Sequence, residues 1–392
     1  MIRYLTAGES HGKGLTVIID GVPSNLKIDE RELNFILSER QKGYGRGGRQ
    51  KIENDRVEIL SGIRFGKTIG SPVSVFIKNN DYENWKSRMS ITPINQSVDE
   101  FLIPRPGHAD LSGGIRFNHR DLRNVLERAS ARETAARIIA GAICKILLKE
   151  FNIEILGYVV NIAGIATDID EGLDIKEIIK KVEDDKEKFK VDLRYPDSKK
   201  IPHIIKKINS AMKKGDTLGG IIKIIAEGVP PGLGDYTQWD RKLDGKIAMS
   251  LMSLQSIKGV EFGAGFSYAN YSGSLIHDAI YYSKNKGYYR KTNNAGGIEG
   301  GVTNGNKIII RAVVKPISTL RKGIDSVNIK TKLKSRTVYE RSDVCVVPAA
   351  SVIAENLVAI EITNALMEHI GCVELGLMKK NYKSYLRHIR NY

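Results

Sequence analysis

Ala349-Ala-Ser-Val-Ile-Ala-Glu355-Asn356-Leu-Val-Ala-Ile-Glu361-Ile-Thr-Asn-Ala-Leu-Met-Glu-His-Ile370 is the stretch that decides the fold class. Pro348 precedes the run and Gly371 follows it, a start and a stop signal for a helix. The run is apolar nearly all round, broken at Glu355, Asn356 and Glu361, so the helix is expected to be buried. A second long helical stretch spans about Leu122 through Phe151. It carries the apolar pairs Ile138/Ile139, Ala142/Ile143 and Ile146/Leu147 at helical spacing.

Two buried helices need other elements to cover them. Short strands between glycine-rich loops supply these: Leu15–Ile19, Val57–Leu60 and Val73–Phe76 early, Gly220–Glu227 and Ile308–Val314 late. A helix is expected over Glu30–Glu39. Loops are expected at Gly228–Gly234, Gly259–Gly265 and Gly296–Gly305. Residues 153–214 look like a lysine-rich α/β stretch, with Glu183–Lys190 a surface excursion. No repeat and no clean linker is present. The reading is a single domain over 1–392 of α/β (α+β) class, strands packed on central helices, with a lysine-rich excursion at about 165–215.

The 392 residues are 41% hydrophobic and 27% charged, an ordinary globular balance. No run of 18 or more apolar residues occurs, so no membrane span is expected, and the start of the chain lacks the basic-then-apolar pattern of a signal peptide. Cys144, Cys345 and Cys372 show no metal-ligand spacing, so no metal is expected, and buried thiols in a reducing cytoplasm are. The net charge of +16 is the unusual number. Lysines around 180–214 are interspersed with acids, which suits a solvated face. The arginines instead gather in glycine-rich stretches at 40–49, 105–137 and 341. Arginine suits bidentate recognition of phosphate and carboxylate, so these clusters point to a small polyanion.

Five constellations carry chemistry. Gly8-Glu9-Ser10-His11-Gly12 places a titratable imidazole among small neighbours, though a polar turn with an incidental histidine has the same pattern. Arg40-Gln-Lys-Gly43-Tyr-Gly45-Arg46-Gly47-Gly48-Arg49 is a loop of fork-shaped donors, or a bland surface loop. Arg105-Pro-Gly-His108-Ala-Asp110 holds a second histidine. It leads toward Arg123-Asn-Val-Leu-Glu127-Arg128-Ala129-Ser130-Ala-Arg132-Glu133-Thr134, where Ser130 and Glu133 have capping-box spacing. A helix starting there offers free amides to a phosphate, unless Glu127 and Glu133 merely neutralise Arg128 and Arg132. Asn293 to Gly305 is dense in glycine and leads to Lys315-Pro316-Ile317-Ser318-Thr319. Arg341-Ser-Asp343-Val-Cys345 stands just ahead of the buried helix. No Walker or dinucleotide fingerprint occurs.

Taken in order, these motifs resemble the chorismate synthase family from end to end. The resemblance is carried by Gly8–Pro23, Arg105–Asp110, Leu126–Thr134, Asn294–Gly305 and Arg341–Glu355, and is weakest across 165–215. It implies a β-α-β sandwich with long central helices between antiparallel-rich sheets, assembled as a homotetramer. It implies a lyase that converts 5-enolpyruvylshikimate-3-phosphate to chorismate and phosphate by 1,4-anti elimination, requiring reduced FMN with no net redox change. By position, His11 resembles the acid to the departing phosphate, His108 a proton source beside the flavin, and Asp343 the carboxylate that works with the flavin at the C6 hydrogen. Ser10, Arg40, Arg46, Arg49, Arg105, Ser130, Arg132 and Arg341 resemble the substrate-binding set. Arg40 and Arg46 also match positions credited with NADPH contacts in some members. FMN contacts carry over to Arg128, Ala129, Ser130, Gln255, Ser256, Gly300, Lys315, Pro316, Ile317, Ser318, Thr319 and Arg341. The chain departs from the commoner pattern at Ala129, Gln255-Ser256 and Ser318.

Two rivals come from other classes. An RNA-binding protein would interleave aromatics with its arginines for base stacking, but only Tyr44 and Phe117 stand near those clusters. An ordinary flavin oxidoreductase would consume reductant stoichiometrically, whereas two histidines, an aspartate and a phosphate clamp suit elimination. The reading therefore expects neither nucleic acid nor membrane as a partner, and leaves a separate flavin reductase open.

Overall fold

The run from Ala349 folds as the helix Val347–Ile370 in a computed structural model that describes residues 1–47, 55–169, 172–340, 342–371 and 373–392. Pro348 sits in its first turn, and every residue from Val347 to Ile360 is buried. Length and composition alone would let this helix cross a bilayer, but protein surrounds it. Burying Glu355 in such a helix requires partners. One carboxylate oxygen meets Lys145 Nζ at 2.8 Å; the other accepts from the Gly157 amide at 2.7 Å and Arg194 Nη2 at 2.9 Å. Burial pushes this carboxyl up, yet the Lys145 and Arg194 charges outweigh it and hold it below its ordinary range.

The expected helix from Leu122 to Phe151 is three pieces: Arg123–Ala129, a 3₁₀ turn at Ala131–Glu133, and Thr134–Lys149. The break falls at Ser130, whose backbone is extended (φ −63°, ψ 140°). The capping box does not form. Ser130 Oγ accepts from the Arg132 amide, while the Glu133 carboxylate goes to Arg137 and Gln255, because a cation four residues on outcompetes a neutral amide.

Thr134–Lys149 and Val347–Ile370 pack on each other between two antiparallel sheets. The first has neighbours in the order Arg3–Gly8, Gly14–Asp20, Val73–Lys78, Val57–Ser61. Alternation along Gly14–Asp20 turns Leu15, Val17 and Ile19 inward onto the helices. The second runs Ile257–Phe262, Ile308–Val314, Gly220–Glu227, Glu154–Ile162, Ile165–Ala166. These layers give the α+β sandwich of antiparallel sheets around long helices. A helix also covers Glu30–Gln41, as expected.

Three local expectations change. Gly259 to Phe262 is strand, not loop, because it pairs with Ile308–Val314 after a bulge at Ile257/Gly259. Within the Gly296–Gly305 loop, Ile298–Glu299 pairs with Val302–Thr303 as a short hairpin. Most of Glu183–Lys190 belongs to the helix Ile175–Phe189, whose Ile175 and Ile178 pack with Tyr158, Ile225 and Ile309 on the outer face of the second sheet. The lysine-rich segment thus covers that sheet and turns its charges to water.

The two central helices approach closely at Gly141, where an added Cβ would lie 2.4 Å from the Asn356 Cβ and carbonyl oxygen. Gly141→Ala is therefore expected to destabilise the fold by ~1–3 kcal/mol, the cost of overpacking a filled core. Denaturant unfolding measures this, and an unchanged or raised midpoint would show that the helices separate freely.

Candidate active site

The first strand ends at Gly8 and the chain turns through Ser10–Gly12 into the second. Asn79 Nδ2 clamps this turn by donating to the carbonyls of Ser10 (3.3 Å) and Gly12 (2.9 Å). The turn is also pinned to the helix Arg123–Ala129, since the Ser10 amide donates to the Glu127 carbonyl. His11 is buried there. Its Nδ1 lies 2.8 Å from Glu127 Oε1, its backbone amide donates to Glu127 Oε2 at 2.7 Å, and its ring stacks on Trp85 with centroids 3.8 Å apart. A carboxylate can only accept, so Nδ1 carries the hydrogen and Nε2 is left for the cavity that His11 lines.

That cavity, of about 1050 Å³, draws its walls from both sheets' connections and the starts of both central helices. Arg40 reaches into it with Nε on Thr134 Oγ1 (2.9 Å) and Nη2 on the Ala131 carbonyl (2.9 Å). Arg132 makes a bidentate pair with buried Asp55 at 2.7 and 2.6 Å. Glu127 and Glu133 therefore do not neutralise Arg128 and Arg132: Glu127 serves His11 and Arg123, and Arg128 turns away to the Thr6 and Gly8 carbonyls. Ser130 Oγ donates to Ser10 Oγ at 3.1 Å, joining two of the sequence motifs.

Opposite stands the Arg105–Asp110 turn. Arg105 Nε and Nη2 hold the two Asp110 oxygens at 2.8 and 3.0 Å, and Nη1 reaches Thr319 Oγ1 at 3.0 Å. His108 Nδ1 sits 2.6 Å from Asp110 Oδ1. Burial pushes the Asp110 carboxyl up, but hydrogen bonds from His108 and Arg105 and the guanidinium charge prevail, holding it well below the usual carboxylate range. Lys315 Nζ bonds the Gly107 carbonyl; burial and the neighbouring Lys258 lower its pKa.

Asp343 does not cap the following helix. Its Oδ2 meets Arg46 Nη1 at 2.9 Å and its Oδ1 accepts from the Gly47 amide at 2.6 Å. The Gly45 carbonyl, in turn, accepts from the amides of Val344 and Cys345. Gly45 sits at φ +91° with Cys345 Cβ only 3.2 Å from where its own Cβ would be, so a glycine is required for this strap.

Of the residues singled out from sequence, Ser10, His11, Arg40, Arg46, Arg105, His108, Ala129, Ser130, Arg132, Gln255, Ser256, Lys315, Ile317, Ser318, Thr319 and Asp343 all line this one cavity. Arg128, Gly300 and Pro316 are not among its lining residues, and Gly300 is exposed at a hairpin tip. Arg49 and Arg341 lie outside the described residues. The sequence reading missed Trp85, Asp81, Arg88 and Glu340, which also line it, and did not foresee the pairing of Glu127 with His11. Trp85 was the available signal, as one of two tryptophans in the chain and set in a polar stretch. Seven fixed cations and three carboxylates line the described wall, so a small polyanion suits it.

Asp110 supplies the pH-dependent part of this framework. Its depressed pKa means its stabilisation is present above the ordinary carboxylate range, near pH 4, and is lost as pH falls toward the folded value. Asp110→Asn leaves buried Arg105 without a counter-charge and is expected to cost ~3–5 kcal/mol at neutral pH. The variant's stability should also fall less steeply below pH 4 than the parent's. Unfolding midpoints across pH 2.5–7 test this, and parallel acid limbs would refute the assignment.

A family model described as chorismate synthase matches residues 2–367. The chain is 49% identical, over a 401-residue alignment, to a chorismate synthase of Aquifex aeolicus, covering 100% of this chain and 99% of that one. It is 50% identical to a chorismate synthase of Caldanaerobacter subterraneus subsp. tengcongensis, with both chains covered in full. A crystal structure of chorismate synthase superposes with a TM-score of 0.80 at 41% identity, covering 100% of this chain and 99% of the other. With its sandwich, its cationic cavity and these matches all in agreement, the chain belongs to the chorismate synthase family.

Proposed function

We propose that this chain converts 5-enolpyruvylshikimate-3-phosphate to chorismate and phosphate by 1,4-anti elimination, with reduced FMN required and no net redox change. The observation that carries the reading is one cavity uniting His11, His108, Asp343 and five arginines. The substrate bears a phosphate and two carboxylates, which Arg40, Arg46, Arg105 and Arg132 suit, with Arg49 and Arg341 added from the resemblance. Lyase action on phosphate and a place in aromatic amino-acid biosynthesis follow from that substrate.

The residues fit a flavin nucleotide. Ala129, Ser130, Gln255, Ser256, Lys315, Ile317, Ser318 and Thr319 all belong to the cavity lining, and Gln255 Oε1 is a buried acceptor with no partner there. Lys258 and Lys315 offer cations for its phosphate. A cavity of about 1050 Å³ slightly exceeds the usual range for one ligand, leaving room for cofactor and substrate together. When bound, reduced FMN supplies an electron-rich ring that promotes loss of an allylic phosphate. His11, with Nδ1 on Glu127, donates a proton from Nε2 to the departing phosphate. His108 holds a proton against Asp110, and Asp343 accepts one while Arg46 and the Gly47 amide fix its direction.

Assembly as a homotetramer fits exposed apolar side chains such as Leu5 and Ile18, which face each other across the first sheet. A cytoplasmic setting fits the free, buried thiols of Cys144 and Cys345.

Photoreduced FMN added anaerobically with substrate, and no NADPH, should release phosphate and chorismate over many turnovers. Product formation limited to one equivalent per reduced flavin would support an oxidoreductase instead. Repeating the assay with oxidised FMN and NADPH decides whether the chain reduces its own flavin through Arg40 and Arg46 or needs a separate reductase.

Asp343→Asn keeps an acceptor for the Gly47 amide but removes the base. It is expected to slow single turnover by ~10²-fold or more, on the scale of a lost proton-transfer group. A lower melting temperature with an intact single-turnover rate would leave Asp343 a structural role only.

A further inference from the structure

Glu127 is buried at the end of the helix Arg123–Ala129, and its carboxylate is shared between two donors of the same residue. Oε2 accepts the His11 backbone amide at 2.7 Å, and His11 Nδ1 faces Oε1 at 2.8 Å with Oε2 farther, at 3.1 Å. Trp85 closes the ring from one side, stacked at 3.8 Å and held in turn by its own Nε1 on Asp81 Oδ2 at 3.1 Å. The carboxylate is also tied across the cavity mouth: Arg123 Nη1 lies 3.6 Å from it, and Arg123 Nη2 binds Glu340 Oε1 at 2.9 Å, in the segment that carries Asp343. The imidazole therefore has its tilt set by stacking and its rotation and tautomer set by one carboxylate.

We infer that Glu127 is the positioning residue for His11, holding Nδ1 as a permanent donor so that Nε2 alone exchanges a proton with substrate. This rests on the reading of His11 as the acid. An acid working from Nε2 must relax to the neutral ring with hydrogen on Nδ1, and that is the form a carboxylate opposite Nδ1 favours. A carboxamide there does the reverse. The His11 backbone amide still demands an oxygen at the Oε2 position, which turns the amide nitrogen of a glutamine toward Nδ1. The nearer contact of Nδ1 is then with that nitrogen, which favours Nδ1 as acceptor and hydrogen on Nε2 over the longer donation to the amide oxygen, and the product form of the acid is disfavoured.

Glu127→Gln preserves shape and is expected to fold. Its single-turnover rate should fall by roughly 10²-fold or more with substrate KM nearly unchanged, the pattern of a lost histidine orienter. Glu127→Asp, which keeps the acceptor charge, should recover at least part of that loss. Nitrogen-15 spectra of histidine-labelled protein, with His11 assigned through His11→Ala, should show hydrogen on Nδ1 in the parent and on Nε2 in Glu127→Gln. A purely structural Glu127 would lower the melting temperature without moving the tautomer. An unchanged tautomer, or a Glu127→Gln rate within about threefold of the parent, far short of the expected loss, overturns the inference. His11→Ala separates the two ideas. If it turns over normally, the acid reading fails and the positioning role with it; if it is inactive while Glu127→Gln is not, only the positioning role fails.

Discussion

Burying a guanidinium without a counter-charge costs more than a protein of this size can spare, and the cavity is organised by that constraint. Arg132 is met by Asp55, Arg105 by Asp110, and Arg46 by Asp343. Arg105 meets its carboxylate within one turn, but Asp55 and Asp343 come from distant parts of the chain, so the three pairs gather only once the sandwich has formed. What remains is a wall of cations already fixed in direction, with fewer acids than bases, ready for an anionic ligand. Orientation achieved before binding spares the ligand the entropy of ordering those side chains.

The two central helices make this possible through their depth. Thr134–Lys149 and Val347–Ile370 both begin at the cavity, so residues just ahead of them, Ser130–Arg132 and Ser342, Asp343 and Val346, form its floor or rim. Chain entering a buried helix is itself constrained, and that is where Ser130, Arg132 and Asp343 stand. Apolar burial that stabilises the sandwich thus also fixes the polar groups that line the cavity.

The helices were legible in sequence because their signals are local: Pro348 and Gly371 bracket one, and Ser130 marks the break in the other. The membership of the site was legible too, since most motif residues share the cavity. Partner choice was not. Sequence offers the adjacent residues, so neutralisation of Arg128 and Arg132 by Glu127 and Glu133 stayed open beside the phosphate reading; the fold instead brings Asp55 to Arg132. The His11–Trp85 stack is hidden for the same reason, arising from where the first sheet's strands end. Strand Ile257–Phe262 was masked by Gly259, whose weak propensity is overridden by a neighbouring strand.

The strap between Gly45 and Val344–Cys345 makes the rim behave as one hinged unit. The same few residues bear Arg46 on one side and Asp343 on the other, joined by backbone hydrogen bonds as well as by the ion pair. Val344 is fastened further to Leu218 at the start of the second sheet. Local opening of the strap therefore disturbs both charges, and the amides along the two segments are expected to exchange together. Loosening the rim at one segment is thus transmitted to the charge carried by the other.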